Sequence, residues 1–232
     1  MNLHPCISVR QLTIGVEEAP LLVIDNVTDA DELVAAAACQ RFTASTRYYP
    51  GIRAPAPPTY QQFFAARLAQ TLAECFQLEG TTLRFSMCHY SLVTTPPEKL
   101  APPQRIPHVD SLGKEGLATI HYLFRKNLGG TAFYRHRKTG FEYIDESRQE
   151  TYLKALENET GGPDWPGAEY INGDTALFEQ VAKQDGVFNR MLVYRRNSLH
   201  SGCIGKDFVP DSNPLTGRLS INSFIDLVRS QT

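Results

Sequence analysis

The stretch GLATIHYLFRKNLGGTAFY, residues 116–134, decides the fold class. Residues 116–124 are rich in β-branched and aromatic side chains and read as a strand. Gly129-Gly130 reads as a turn, and residues 131–134 as the returning strand. Residues 83–93, 191–194 and 219–225 have the same strand character, and 21–25 is a short apolar run suited to another. Helical signals come early in the chain. Thr28 is placed to cap an alanine-rich stretch running to about residue 40. Thr59 opens a second helix, with Gln62 completing a capping box and Phe63, Leu68, Leu72 and Phe76 on one face. Residues 48–58 between them, carrying Pro50, Gly51, Pro55, Pro57 and Pro58, read as neither helix nor central strand. Helices followed by many short strands predict a mostly β, α+β chain: an antiparallel β-core buttressed on one side by helices.

The 232 residues fit a single domain. Residues 1–81 are its N-terminal helical support, and 82–135 with 188–228 form the core. Residues 136–187 are an insertion suited to a lid or substrate-recognition segment. Within it, Ser147 and Glu150 form a capping box for a helix through Leu156, closed by Gly161-Gly162, and the turn-rich loop beyond carries the sole tryptophan, Trp165. The formal net charge of -2 gives no single-sign field to steer the chain onto nucleic acid or an anionic membrane. No apolar run approaches the ~20 residues of a membrane span. The first fifteen residues lack the charged start and apolar core of a secretory signal, so a soluble cytoplasmic protein is expected. Five scattered cysteines without a C-x-x-C pair predict reduced, mostly buried thiols.

The chemistry centres on His108-Val109-Asp110. In an extended segment, residues two apart share a face, so both side chains can enter one cavity. His200 follows the 191–194 strand through a turn-like Arg195-Arg196-Asn197-Ser198, at a strand end. Two imidazoles and one carboxylate suit a mononuclear Fe(II) centre with open coordination positions. An H-x-D match is unspecific alone, and its surroundings give it weight. Arg218 and Ser220, two apart on the last strand, both turn inward and make a receptor for a carboxylate. Tyr90 and Tyr122 lie on strands beside the ligand region and offer phenols. His121 and His89 are assigned to packing or hydrogen bonding, and Arg135-His136-Arg137-Lys138 to a solvated turn.

Taken together, PHVDS (107–111), ATIHYLFRKNLGGTAF (118–133), MLVYRRNSLHSG (191–202) and RLSINSFID (218–226) resemble the Fe(II)/2-oxoglutarate-dependent dioxygenases, in their prolyl-hydroxylase-like branch. The resemblance implies a double-stranded β-helix (jelly-roll, cupin-like) core with N-terminal helices packed on it. It implies His108, Asp110 and His200 as metal ligands and catalytic residues, with Fe(II), 2-oxoglutarate and O₂ as cofactor and co-substrates. Arg218, Ser220 and Tyr122 would hold the far carboxylate of 2-oxoglutarate, and Tyr90 would line its pocket. The implied reaction is hydroxylation of a C–H bond in a small-molecule, peptide or amino-acid substrate. Asp110 argues against a halogenase, in which a halide takes the carboxylate's position. The alternative is a non-catalytic or differently catalytic metal-binding module of cupin-like fold. An anaerobic mixture of protein, Fe(II) and 2-oxoglutarate separates the two. Substrate identity and oligomeric state stay open at this level. The spacing from His200 to Arg218 is longer than this branch usually shows, with Pro210–Pro214 looping inside it, and a longer loop costs little extra closure entropy.

Overall fold

Eleven strands and three helices alternate along the described residues, and where the strands pair decides what faces the site. The computed structural model describes residues 1–44, 48–78 and 81–229. In chain order the elements are β1 (Ser8–Ile14), β2 (Ala19–Asp25), α1 (Ala30–Ala38), β3 (Thr43–Ala44), β4 (Gly51–Pro55), α2 (Pro58–Phe76) and β5 (Thr81–Val93). There follow β6 (Leu117–Tyr122), β7 (Gly130–His136), α3 (Glu146–Glu159), β8 (Phe178–Asp185), β9 (Arg190–Arg195), β10 (His200–Cys203) and β11 (Leu219–Arg229). All pairings are antiparallel. An eight-stranded sheet has the order β1-β2-β9-β6-β11-β5-β4-β3, and a three-stranded sheet the order β10-β7-β8. The chain is thus mostly β, as the sequence predicts. Its helices, however, are not all on one side: α1 and α2 cover the large sheet, while α3 packs on the small one through Leu156, Tyr152 and Glu159.

Two apolar layers flank the large sheet. On its outer face, Phe63, Phe64, Leu68, Leu72 and Phe76 of α2 and Leu33 of α1 pack with Tyr90, Leu92, Leu219 and Ile221. Each fully buried side chain of this kind contributes roughly 1.5–3 kcal/mol. On its inner face, Ala118, Ile120, Tyr122, Leu192 and Tyr194 meet Phe133 of β7, with Val181 and Ala182 of β8 against them. Strand alternation separates the two sets: odd residues of β11 face the helices and even ones face the small sheet.

Several local expectations are corrected. Gly129-Gly130 is not a hairpin turn, because both edges of β6 are already taken by β9 and β11. β7 instead pairs with β8 and β10, and residues 123–129 carry the chain from one sheet to the other. Glycine is required at that corner: Gly129 has φ +83°, and a Cβ there would lie 2.1 Å from the carbonyl oxygen of Cys203. The proline-rich 48–58 segment contains β4, paired with β5 along its whole length. It succeeds because Pro55 sits at its last residue, one strand in from the sheet edge. Strands also precede the helices: β1 and β2 extend the large sheet through β9, and β8 lies within the 136–187 segment.

The helix caps differ too. Thr28 does not cap α1; its hydroxyl donates to the carbonyl of Asn2, and Asp29 takes the cap position without a side-chain bond. α2 starts at Pro58, whose fixed φ presets the first turn, and no side-chain cap forms from Thr59. α3 is capped by Asp145, two residues ahead of Ser147, accepting from the amides of Ser147 and Arg148. The basic run at 135–138 is only partly a solvated turn. His136 is fully buried, with its ring nitrogens on Thr139 and Glu159, and Arg135 grips Glu142 and Glu179. Trp165 packs on the cluster around Ile106, Tyr134 and Phe178, anchoring its own loop. No helix among the described residues is long and apolar enough to cross a membrane.

Candidate active site

His108 and His200 are brought together by their backbones. Each donates its amide to the other's carbonyl, at 2.9 and 3.0 Å, as an isolated antiparallel bridge. Asp110 is fixed two residues on, its amide donating to the carbonyl of Arg196 at 2.8 Å. The two imidazole rings lie 4.5 Å apart between centroids. Asp110 Oδ1 is 3.7 Å from Nε2 of His108, and Oδ2 is 3.5 Å from Nε2 of His200. One ligand atom from each residue falls within 4.8 Å of the others, a spread that one ion can bridge.

The ring orientations suit metal binding. Nδ1 of His200 lies 2.9 Å from the carbonyl of Ser198. That oxygen can only accept, so Nδ1 carries the proton and Nε2 presents its lone pair toward Asp110. Partial desolvation, then the neighbouring His200, lowers the His108 pKa against the upward pull of Asp110, although the side chain is about half exposed. The imidazole is therefore neutral near pH 7, the form a metal requires. Tyr194 stacks edge-on against His200 at 4.7 Å, and Phe133 packs against Tyr194 at 5.1 Å. These rings wall the buried ligand from water.

Arg218 lies further back, just ahead of β11, and is only 3% exposed. Its Nε donates to the carbonyl of Leu128 at 2.9 Å and Nη2 to that of Gly130 at 2.8 Å. No carboxylate pairs with it among the described residues. Its Cζ sits 5.9 Å from the ring of Tyr122 and 5.4 Å from that of Phe124. Nη2 would be 3.9 Å from a Cβ on Gly202. Gly202 shares the face of β10 that carries His200, so the guanidinium lies about two residues, roughly 7 Å, along from that ligand. The Tyr122 hydroxyl meets Thr131 Oγ1 at 2.7 Å beside it. Ser220 also faces inward, opposite both Ser91 and Tyr122, with its hydroxyl donating to Asn222 Oδ1 at 2.7 Å.

Tyr90 is not part of this group. The register that sets Ser91 opposite Ser220 turns Tyr90 to the helices, where its hydroxyl donates to the carbonyl of Leu33 at 2.9 Å. By the same parity His89 faces the metal side, not the packing side. His121 faces the helices, bonded to Tyr60 and Asn189. If the chain binds 2-oxoglutarate, as the sequence resemblance implies, Tyr90→Phe should therefore leave that affinity unchanged. Losing one buried hydrogen bond should lower its unfolding free energy by about 1 kcal/mol, read from denaturant midpoints. A co-substrate defect in that variant would reinstate Tyr90 in the pocket.

The sequence reading missed Arg53, Tyr49, Tyr194 and Thr131. Arg53 stands opposite Ser91 on β4, and its guanidinium lies 4.0 Å from the ring of Tyr49. Tyr194 and Thr131 share a face with Leu192 and Phe133, which the structure places inside, but the sequence marked no inner position on either strand from which to count. Arg53 was hidden because its segment read as a loop.

The chain matches the model of a family of unknown function, DUF6445, over residues 5–225. No curated protein sequence matches it. Among solved structures it is similar to the non-heme alpha ketoglutarate dependent epimerase SnoN from nogalamycin biosynthesis, with 11% identity, 89% of this chain and 77% of that chain covered, and a TM-score of 0.48. It is similar to iron-bound HygX from Streptomyces hygroscopicus, with 12% identity, 90% and 82% covered, and a TM-score of 0.48. It is also similar to an N-substituted L-amino acid dioxygenase from Burkholderia ambifaria AMMD, with 11% identity, 98% and 99% covered, and a TM-score of 0.45. These likenesses are distant.

Proposed function

Since the chain belongs to the DUF6445 family of unknown function, its chemistry rests on its own residues, and we propose that it is an Fe(II)- and 2-oxoglutarate-dependent dioxygenase hydroxylating a C–H bond. In this reading the two facing sheets are a double-stranded β-helix of the prolyl-hydroxylase-like type. One observation carries it: a buried guanidinium, Arg218, with no carboxylate partner among the described residues, lies behind a His-Asp-His cluster. A buried cation without an anion is costly, and a dicarboxylate bound to the metal at one end would supply that anion at the other.

The donor set fits the group. Two neutral imidazoles and one carboxylate leave adjacent positions open for a chelating co-substrate and O₂. When bound, the iron supplies the oxidative chemistry: one oxygen atom goes to succinate as 2-oxoglutarate loses CO₂, and the other enters the product. The protein's residues do the positioning. Asp110 provides the one anionic ligand. The Ser198 carbonyl fixes the tautomer of His200, and Tyr194 and Phe133 exclude water from its buried side. Arg218 grips the far carboxylate, and the Tyr122–Thr131 hydroxyl pair can add a donor. Ser220 joins if its hydroxyl swings away from Asn222.

The test is an anaerobic mixture of protein, Fe(II) and 2-oxoglutarate. It should develop a weak visible charge-transfer absorption, and air should then release succinate in proportion to 2-oxoglutarate consumed. Iron bound with no such absorption and no succinate would favour a metal-binding module without this activity.

A further inference from the structure

Seven buried side-chain polar atoms lack a hydrogen-bond partner among the described residues, and three of them lie together: Nε of Arg53, Nδ1 of His89 and Oγ of Ser91. Arg53 and Ser91 are directly opposed across β4 and β5. His89, two residues from Ser91, shares their face. That face is the inner one, because Ser91 stands opposite Ser220 and Ser220 opposite Tyr122, and the charge of Arg53 is felt at Asp110 and His108. Ser91 is fully buried. The Tyr49 ring lies 4.0 Å from the guanidinium of Arg53, and its phenol also feels the charge of Arg218.

Arg53 has poor partners. Its Nη1 points to the thioether of Met87 at 3.5 Å, a weak acceptor. Its plane rests on Tyr49, and no carboxylate pairs with it among the described residues. Other partly buried arginines do better: Arg135, Arg148, Arg190 and Arg196 each grip a carboxylate at 3.0 Å or less. A guanidinium with no carboxylate partner, beside a buried hydroxyl and a buried ring nitrogen, supplies the charge and donors that a carboxylate needs.

Charge identifies what it receives. A divalent metal, Arg218 and Arg53 face only the single negative charge of Asp110. A bound 2-oxoglutarate dianion still leaves about one positive charge uncompensated beside the metal. A singly charged anion balances it, and a phosphate dianion would overshoot.

We propose that Arg53, with Ser91 and His89, is the specificity site for the prime substrate, which carries a carboxylate near the C–H bond to be oxidised. The class is free or N-substituted amino acids, other small carboxylic acids, or a peptide's C-terminal residue. This rests on the dioxygenase reading above.

The experiment is calorimetry on the full chain loaded with Ni(II) and 2-oxoglutarate, titrated with butanoate and N-acetylglycine and then with butanamide and N-acetylglycinamide. The acids should bind and the amides should give no measurable heat. Arg53→Gln should weaken the acids by about tenfold or more, and Arg53→Lys by less, because an ammonium lacks the fork. Both variants should keep 2-oxoglutarate affinity within about twofold, since Arg218 carries that carboxylate. Ser91→Ala removes a buried hydroxyl whose one protein neighbour of this kind is the Tyr49 phenol, so it should fold like the parent and weaken the acids about threefold. It keeps the test decisive if Arg53→Gln misfolds. Equal binding of acids and amides, no acid binding to the parent protein, or loss of 2-oxoglutarate binding in Arg53→Gln would each overturn the assignment. Failure of the dioxygenase reading shows separately, as absent 2-oxoglutarate heat in the parent before any acid is added.

Discussion

Arg218→Ala should raise the 2-oxoglutarate concentration needed for half-saturation by on the order of a hundredfold or more while leaving metal affinity nearly intact. Removing one partner of a buried, hydrogen-bonded charge pair typically costs about 2–5 kcal/mol, which converts to roughly 30- to 5,000-fold and brackets that value. Two opposing effects act on the free protein. The variant loses the bonds from Nε to Leu128 and from Nη2 to Gly130, which is destabilising. It also loses a buried cation that lacks a carboxylate, which is a relief. The melting temperature of the metal-loaded variant should thus move far less than its response to 2-oxoglutarate. In the parent, ligand at about 100 times its Kd adds about 2.7 kcal/mol of stability, and that increment should vanish in the variant. Arg218→Lys should recover part of the affinity, because the charge returns without the bidentate geometry. If Arg218→Ala binds 2-oxoglutarate as the parent does, the guanidinium serves only the two backbone carbonyls and the co-substrate reading fails.

How much of this was legible in the chain depended on whether local pattern or strand partnering decided it. The strands β5, β6, β9 and β11 were readable because β-branched and aromatic residues cluster in them. The buried face of α2 was readable because Phe63, Leu68, Leu72 and Phe76 recur at helical spacing. The H-x-D was readable because extended geometry alone sends residues 108 and 110 to one side. What failed was partnering. Nothing local to Gly129-Gly130 shows that both edges of β6 are occupied, so the apparent hairpin became a crossing between sheets. Tyr90 was placed inward because β5 was not yet in register with β11, and a one-residue slip exchanges every side chain between faces. The same slip hid His89. Arg53 was lost to the prolines around it, although β4 needs only Gly51–Pro55 to pair with β5. Charge pairing was also invisible: that Arg53 and Arg218 have no carboxylate partner among the described residues while Arg135 and Arg190 do is a fact of three dimensions.

Asp110→Ala should abolish tight divalent-metal binding while leaving the fold intact, and the contrast between those two readouts is what makes it informative. Asp110 is the only carboxylate in the cluster, with its oxygens 3.7 and 3.5 Å from the two Nε2 atoms. Without it, two neutral imidazoles remain beside Arg53, whose charge repels a cation and interacts with Asp110 across the site. Both the lost ligand and the uncovered guanidinium act in the same direction. Loss of metal affinity should therefore exceed the about 10–100-fold typical of removing a mere supporting partner. The backbone reason for the site persists, because the amide of residue 110 still donates to Arg196 and the His108–His200 bridge needs no side chain. Metal-free Asp110→Ala should consequently unfold within about 1 kcal/mol of the metal-free parent. The parent should gain stability on adding Co(II) or Fe(II), and the variant should gain none. An unchanged metal response in Asp110→Ala would place the ion elsewhere and remove the basis for an iron centre at these three residues.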